Sequence, residues 1–256
     1  MKSNNHLALI FLACQIFGLL IVWHYQTHTL PFGIEPLQDE GALSLVKFVL
    51  MLAVITITIL LIIRLKKAQL WTVLYFLGVS VATSISLNPF LKEYALIIGL
   101  VIAYIKIKEK DDYWHNITEI LIYGGAVAVI SSMFNSFTAI ILIGLISLYD
   151  IYSVNYSKHM VKMAKAQTST GVFPGLVINK GTKKESVLGG GDVAFPLLFA
   201  STFIAKPQTS ILIVLFAFLG LLVMLKRSEK GKYYPAMPVL GVSSILGYLV
   251  SLILFT

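Results

Sequence analysis

The segment Gly189-Gly190-Gly191-Asp192-Val193-Ala194-Phe195-Pro196 places a carboxylate inside an apolar stretch that is otherwise typical of a membrane-spanning helix. A second carboxylate, Asp150, lies 42 residues earlier in another apolar stretch, 143–152. An ionised Asp near the middle of a bilayer is costly, so an acidic residue within a span predicts a functional site and a partner for it. We therefore expect Asp150 and Asp192 to be each other's partner.

The composition is that of a membrane protein. Of the 256 residues, 57% are hydrophobic and 12% are charged, with a mean hydropathy of +0.86, whereas soluble domains carry about 25% charged residues. This composition predicts an all-α polytopic membrane protein that lies in the lipid bilayer. The net charge of +8 does not indicate a nucleic-acid partner, because the basic residues lie at the ends of apolar runs, as cytoplasmic anchors do. The single cysteine, Cys14, excludes an internal disulfide and a cysteine zinc cluster.

The apolar runs predict nine transmembrane helices within a single membrane domain, residues 1–256. A helix needs about 20 apolar residues to cross a bilayer core of about 30 Å. Cutting the sequence at charges, prolines and polar clusters gives the spans 7–24, 43–63, 69–87, 90–107, 117–134, 137–156, 187–205, 208–225 and 235–255. Short links at Asn88-Pro89, Asn135-Ser136 and Lys206-Pro207 predict antiparallel neighbours, with helix breaks at the two prolines.

The placement of Lys and Arg predicts a cytoplasmic N-terminus and an external C-terminus. In this orientation 17 of the 20 basic residues lie on the inner side, and the first external loop, 25–41, has three acidic residues and no basic one. We expect the first span to be retained, because its apolar run is longer than that of a usual signal peptide. The inner basic residues are Lys2, Arg64, Lys66, Lys67, Lys106, Lys108, Lys110, Lys158, Lys162, Lys165, Lys180, Lys183, Lys184, Lys226, Arg227, Lys230 and Lys232.

The same orientation places the two aspartates at equal depth. Asp150 lies about six residues, roughly 9 Å, from the inner end of its span, and Asp192 lies about five residues, roughly 8 Å, from the inner end of the next. Two carboxyl groups that lie a few ångströms apart in a low-dielectric site share one proton and titrate as a pair. One can then accept a proton from water while the other polarises a carbonyl, as in aspartic proteases. The glycines before Asp192 permit close approach of a backbone, and Pro196 loosens the helix.

Each of these features also has a structural interpretation. An intramembrane Asp can have a purely structural role, as a hydrogen-bond partner between helices, and glycines in membrane helices usually form packing faces. A phosphate-binding loop is excluded, because no Gly-Lys-Ser/Thr follows Asp192 and we expect no strand before Gly189. The five histidines lack the spacing of metal ligands, so we expect no metal and no cofactor.

Three short motifs resemble those of the presenilin/signal peptide peptidase family of intramembrane (GxGD-type) aspartyl proteases. That family carries Tyr-Asp in its sixth span, Gly-x-Gly-Asp in its seventh and Pro-Ala-Leu at the start of its ninth. Here Tyr149-Asp150, Gly189-Gly190-Gly191-Asp192 and Pro235-Ala236-Met237 stand in these places. Met for Leu in the third motif conserves volume. The resemblance implies that Asp150 and Asp192 are catalytic. By the same resemblance, the active-site support residues are Tyr149, Gly189 and Gly191, and the substrate-binding residues are Pro235, Ala236 and Met237.

The resemblance further implies an intramembrane aspartic endopeptidase that cuts transmembrane-helix substrates with a water activated by the aspartate pair. The family unwinds the substrate helix first, because a helical peptide bond in lipid is already hydrogen-bonded and shielded. The cytoplasmic loop 157–186 is either a flexible gate over the site or a solvated connector. The predicted orientation resembles that of presenilin, which implies substrates whose N-termini lie outside. The small size suggests a stand-alone prokaryotic or archaeal member in the cell membrane.

Two other functions stay open. The prepilin/preflagellin peptidase family also uses a Gly-x-Gly-Asp motif, but it has fewer spans and lacks the other two motifs. A transporter or channel could use Asp150 and Asp192 to bind protons or cations within the membrane. Against a transporter, the sequence contains no inverted repeat.

Overall fold

The computed structural model describes residues 2–65, 68–109, 111–156, 173–178, 186–228 and 234–255. These ranges contain nine α-helices and two short strands. The helices are α1 (Lys2–Tyr25), α2 (Ala42–Arg64), α3 (Ala68–Leu91), α4 (Ala95–Lys108), α5 (Asp112–Ile130), α6 (Ser136–Asn155), α7 (Gly190–Ser201), α8 (Pro207–Arg227) and α9 (Met237–Phe255). The strands are β1 (Gly175–Ile178) and β2 (Ser186–Gly189). Short 3₁₀ turns occur at Pro31–Gly33, Lys92–Tyr94 and Ser131–Met133.

The prediction of a predominantly helical integral membrane protein is confirmed. Within the described ranges, seven helical segments are long and apolar enough to cross a membrane. The predicted count of nine differs for two reasons. Only a 3₁₀ turn separates α3 from α4, so these two antiparallel helices count as one apolar stretch of 40 residues, Gln69–Lys108, and α7 has only 12 residues. Nine crossings and the orientation of the termini therefore stay predictions.

The chain reverses between α3 and α4 at Lys92 rather than at Pro89. Pro89 lies within α3, so the predicted helix break at this proline is wrong by a few residues. Proline removes the hydrogen bond to the carbonyl four residues earlier, and that carbonyl, Ile85 O, instead accepts a hydrogen bond of 2.7 Å from the Tyr25 hydroxyl. A side chain from α1 thus replaces the missing donor and allows the helix to continue. The turn itself has a positive φ of 46° at Lys92.

The core surrounds α1, which contacts α5, α7 and α8. Phe11 of α1, Val127 of α5, Leu197 of α7 and Ile213 of α8 are all fully buried. Gly18 allows the close packing of α1 on α7, because a Cβ at this position would overlap the Leu197 side chain. Helix α2 is peripheral: 11% of the residues in its apolar stretch are buried, against 56% in that of α5. Its exposed aliphatic residues are typical of a lipid-facing helix.

A two-stranded antiparallel sheet precedes α7, with Gly175 opposite Gly189 and Ile178 opposite Ser186. From the sequence, residues 175–178 are predicted to lie in a loop and 187–189 in a span, with no strand before Gly189. Both expectations are wrong. Strand pairing supplies backbone hydrogen bonds to a segment whose glycines are weak helix formers. Most of the predicted loop 157–186, including Gly171 and Gly181, lies outside the described residues.

Candidate active site

Asp150 lies near the C-terminal end of α6, where it binds the start of α9. Its side chain is buried, and Oδ2 accepts a hydrogen bond of 3.1 Å from the Met237 backbone N–H. One turn earlier on the same face of α6, the Ser147 hydroxyl is shared between the Ile143 carbonyl of its own helix at 2.7 Å and the Met237 carbonyl at 3.1 Å. Helix α6 therefore holds both backbone groups of Met237, which fixes the entry of α9 beside the carboxylate.

Asp192 lies in the first turn of α7, for which Gly189 is the N-cap residue. A carboxylate in the first turn of a helix is favoured by the helix dipole. A Cβ at Gly189 would lie 3.1 Å from Asp192 Oδ2. Glycine at this position therefore leaves the carboxylate room to approach the backbone.

The fold brings the two aspartates together. Asp150 lies on α6 and Asp192 on α7, and these two helices are in contact. Asp150 is buried and Asp192 is half-buried. The two carboxyl groups therefore lie on neighbouring helices that touch.

The remaining predicted site residues fall into two groups. Ala236 and Met237 are buried beside Asp150, and Pro235 is half-buried just before them. Tyr149 instead keeps 45% of its surface exposed on α6. Gly191 faces the Phe195 ring, since a Cβ there would lie 3.2 Å from Phe195 Cε2. The third motif is therefore brought to the carboxyl pair through its backbone.

Gln15 of α1 is a neighbour of the site that the sequence analysis missed. Its buried amide donates a hydrogen bond of 2.8 Å to the Val193 carbonyl, one residue after Asp192. Pro196 lacks the N–H that would bond to the Asp192 carbonyl, so the backbone of α7 is weakened in this turn. A polar residue within an otherwise apolar span was the signal available in the sequence.

A buried ion pair was also missed. Lys106 of α4 and Glu119 of α5 lie 2.8 Å apart, and each side chain is 1% exposed. From the sequence, Lys106 is predicted to be one of the inner anchoring residues, and Glu119 is predicted to lie near the end of a span. The structure corrects this reading: Lys106 is part of a buried polar cluster that reaches β1 through Glu119.

No group of three or more His, Cys, Asp or Glu side chains that could hold a metal ion occurs among the residues that the structure describes. The chemistry that the site offers is acid–base chemistry by two carboxyl groups. One carboxyl group that is protonated and one that is ionised can donate and accept a proton at the same bound molecule.

Two solved structures share the fold over almost the whole chain. Both are of a presenilin family intramembrane aspartate protease, in the C222 and P2 space groups. The first matches with a TM-score of 0.72 and 19% sequence identity, over 98% of this chain and 99% of that chain. The second matches with a TM-score of 0.72 and 19% identity, over 97% of each chain.

No family model matches the sequence, and no curated protein matches it. At 19% identity, the likeness to the solved structures concerns the fold. The resemblance drawn from the three sequence motifs is confirmed at that level: this chain has the fold of a presenilin family intramembrane aspartate protease.

Proposed function

We propose that this protein is an intramembrane aspartic endopeptidase that hydrolyses peptide bonds within transmembrane helices of membrane proteins. Asp150 and Asp192 are the proposed catalytic pair. The observation that carries the proposal is the placement of these carboxyl groups on the contacting helices α6 and α7, in a chain with the fold of a presenilin family intramembrane aspartate protease. The proposed support residues are Tyr149, Gly189 and Gly191, and the proposed substrate-binding segment is 235–237.

In the proposed reaction the ionised carboxylate accepts a proton from a water molecule as the water oxygen attacks the peptide carbonyl carbon. The protonated carboxyl group gives its proton to the carbonyl oxygen, which yields a tetrahedral diol. The first carboxyl group then protonates the nitrogen, the C–N bond breaks, and a diol proton returns to the second carboxylate. The shared proton belongs to the pair throughout the cycle.

Strand β2 provides a surface for an extended substrate backbone. The backbone groups of Gly175 and Val177 in β1 bond to α5 rather than to β2. Two residues that lie opposite each other in an antiparallel pair turn their backbone N–H and C=O groups either both toward each other or both away. Gly189 and Val187 lie opposite Gly175 and Val177, so their backbone groups point away from β1. An unwound peptide that adds to this edge as a third strand would run directly beside Asp192.

We further propose that all nine helices cross the membrane with the N-terminus in the cytoplasm. Helix α7 has 12 residues, about 18 Å at 1.5 Å per residue, which is shorter than a bilayer core of about 30 Å. Non-helical backbone at membrane depth is tolerated where protein satisfies its hydrogen bonds. The β1–β2 pair supplies such bonds immediately before α7, which supports a site within the inner leaflet.

The proposal is tested with purified protein in detergent and a single-span peptide whose products are identified by mass spectrometry. We expect cleavage within the apolar segment. A peptide mimic with a hydroxyl at the scissile position should inhibit, because transition-state analogues bind more tightly than substrates. Absence of cleavage, or cleavage unchanged at saturating mimic, contradicts the proposal, and ion flux through protein in vesicles would favour the channel alternative.

A further inference from the structure

The outer edge of β1 is occupied by side chains of α5. Asn116 binds both backbone groups of Val177: its amide nitrogen donates to the Val177 carbonyl at 2.6 Å, and its amide oxygen accepts from the Val177 N–H at 3.0 Å. The Asn116 side chain is buried. A side-chain amide that pairs with an N–H and a C=O of one residue reproduces the pairing that a neighbouring strand would offer.

Gly175, two residues earlier and therefore on the same edge, is bound in the same way. His115 Nε2 lies 2.7 Å from the Gly175 carbonyl oxygen, and Glu119 Oε2 accepts a hydrogen bond of 3.3 Å from the Gly175 N–H. Because a carbonyl oxygen can only accept, Nε2 carries the proton that is donated to Gly175, and Nδ1 is left with its lone pair 3.5 Å from the Lys106 ammonium. We refer to His115, Asn116 and Glu119 as the α5 ladder.

Lys106 fixes the α5 ladder from α4. Its ammonium is 2.8 Å from Glu119 Oε1, and it donates to the Thr118 hydroxyl at 2.6 Å and to the His115 carbonyl at 3.0 Å. Tyr75 of α3 adds a hydrogen bond of 3.3 Å to Glu119 Oε1. A charged pair is buried without loss only when its hydrogen bonds are well satisfied. Contacts among α3, α4 and α5 therefore hold the ladder side chains in place independently of the sheet.

The sheet in turn leads directly into the site. The Gly190 N–H donates to the Pro174 carbonyl at 3.2 Å, and Asp192 lies two residues further along, in the first turn of α7. The position of β1 on the ladder therefore sets the position of β2, and the position of β2 sets the first turn of α7. A strand can slip in steps of two residues, about 7 Å, without exchanging its faces. The ladder opposes such a slip because it binds Gly175 and Val177 individually.

We propose that the α5 ladder is a positioning device that sets the register of the β1–β2 pair relative to Asp192 and so determines which peptide bond of the substrate is cut. It acts as an immovable third strand on the edge of β1, which leaves the edge of β2 for the substrate. Asn116 is its central positioning residue. This inference rests on the proposed protease function and adds the selection of the cleavage position to it.

The test compares Asn116→Leu with the unchanged protein on one single-span peptide. Titration with a tightly bound hydroxyl-containing mimic gives the fraction of active protein, so that rates refer to active sites. Mass spectrometry gives the cleavage positions, and KM is measured separately from kcat. Loss of the Val177 contacts should raise KM about tenfold, as expected for hydrogen bonds in an apolar site. It should also add products cut at shifted positions.

A second variant and a control keep the test sharp. Asn116→Asp replaces the side-chain NH₂ group by an oxygen atom. It retains the acceptor for the Val177 N–H, but it loses the donor to the Val177 carbonyl. It should therefore shift the products in the same direction even if Asn116→Leu does not fold. Ser210→Ala removes a buried hydrogen bond of 2.9 Å between α8 and α7 that does not touch the sheet, and it should leave the products unchanged.

The outcomes separate the two proposals. If the unchanged protein cuts the peptide, and both Asn116 variants keep its KM and its products per active site, the ladder merely supports the fold and the inference is overturned. If the Asn116 substitutions lower only the fraction of active protein, the ladder again merely supports the fold and the inference is overturned. Failure of the unchanged protein to cut any peptide overturns the protease function itself, and the inference with it.

Discussion

The Asp192 carboxyl group has two neighbours of different kinds. It lies beside the backbone of Gly189 at the start of α7, and its helix contacts α6, which carries Asp150. Asp150 similarly holds the N–H of Met237. Backbone contacts of this kind fix the direction in which each carboxyl group points without adding a further charge. A pair that is oriented in this way needs little reorganisation during proton transfer.

Gly175 is the residue at which the sheet is most sensitive to substitution. Its φ is +146°, and a Cβ would overlap the Leu188 carbonyl oxygen and lie 2.5 Å from Phe173 Cε1. We expect Gly175→Ala to lower the free energy of unfolding by about 1–3 kcal/mol, the range for residues held in disfavoured backbone regions. Thermal unfolding in a single detergent measures this loss, and the cleavage rate should fall with it.

Gly144→Ala is the matched control for Gly175→Ala. Gly144 lies within α6, and among the described residues no atom outside its own helix turn lies within 4 Å of the position that its Cβ would take. Alanine in a helix is favoured over glycine by roughly 0.5–1 kcal/mol, so this variant should be as stable as the unchanged protein or slightly more stable. Equal destabilisation by both substitutions would mean that the sheet does not have the described backbone conformation.

At the scale of the elements, close contacts between helix backbones fix the arrangement around α5. A Cβ at Gly125 of α5 would overlap the carbonyl of Ala82 in α3. Because the obstacle is backbone rather than a movable side chain, Gly125→Ala should separate the two helices and cost about 1–3 kcal/mol, as overpacking does. The α5 ladder moves with α5, so the cleavage rate should decrease as well.

Gly78→Ala in α3 provides the comparison for this helix pair. In the part of the chain that the structure describes, no atom beyond its own helix turn lies within 4 Å of the position that its Cβ would take, so unfolding should be unchanged or occur at a slightly higher temperature. If Gly125→Ala has the unfolding temperature of Gly78→Ala, the described approach of α3 and α5 is wrong.

The helices could be predicted because each gives its signal within its own segment. An apolar run of sufficient length predicts a span whatever its neighbours are, and the predicted starts of α2, α6 and α8 lie within one residue of the observed ones. The short α7 could not be predicted, because Val187 and Leu188 are equally suited to a strand and a helix. Their assignment depends on the partner strand at 175–178, which a segment-by-segment reading does not detect.

The candidate site divides in the same way. The two aspartates and the segment 235–237 could be found from the sequence because carboxylates in apolar runs and short motifs are local features. Lys106 and Asn116 could not, because their partners lie on other elements. The partner of Asn116 is 61 residues away along the chain. A lysine at a span end normally reaches water, so its burial follows only from the packing of α4 against α5.

At the scale of the whole molecule, the distribution of basic residues predicts which substrates can align with the site. With the N-terminus in the cytoplasm, we expect cleavage of single-span substrates whose N-termini lie outside. A library of such substrates in both orientations, reconstituted with the protein in vesicles, measures the preference. Preferential cutting of substrates with cytoplasmic N-termini would show that the predicted orientation is inverted.

The most direct test of the catalytic pair is cleavage of one single-span peptide by the unchanged protein, Asp150→Asn, Asp192→Asn and Glu93→Gln in the same detergent. Asn keeps the shape of Asp but cannot exchange the proton, and Glu93 is an exposed carboxylate outside the pair. We predict that the unchanged protein and Glu93→Gln cut alike, and that each Asn variant is at least about a hundredfold slower, as loss of an acid–base group requires. Equal cleavage by all four proteins would contradict the account and leave Asp150 and Asp192 with a structural or conductive role.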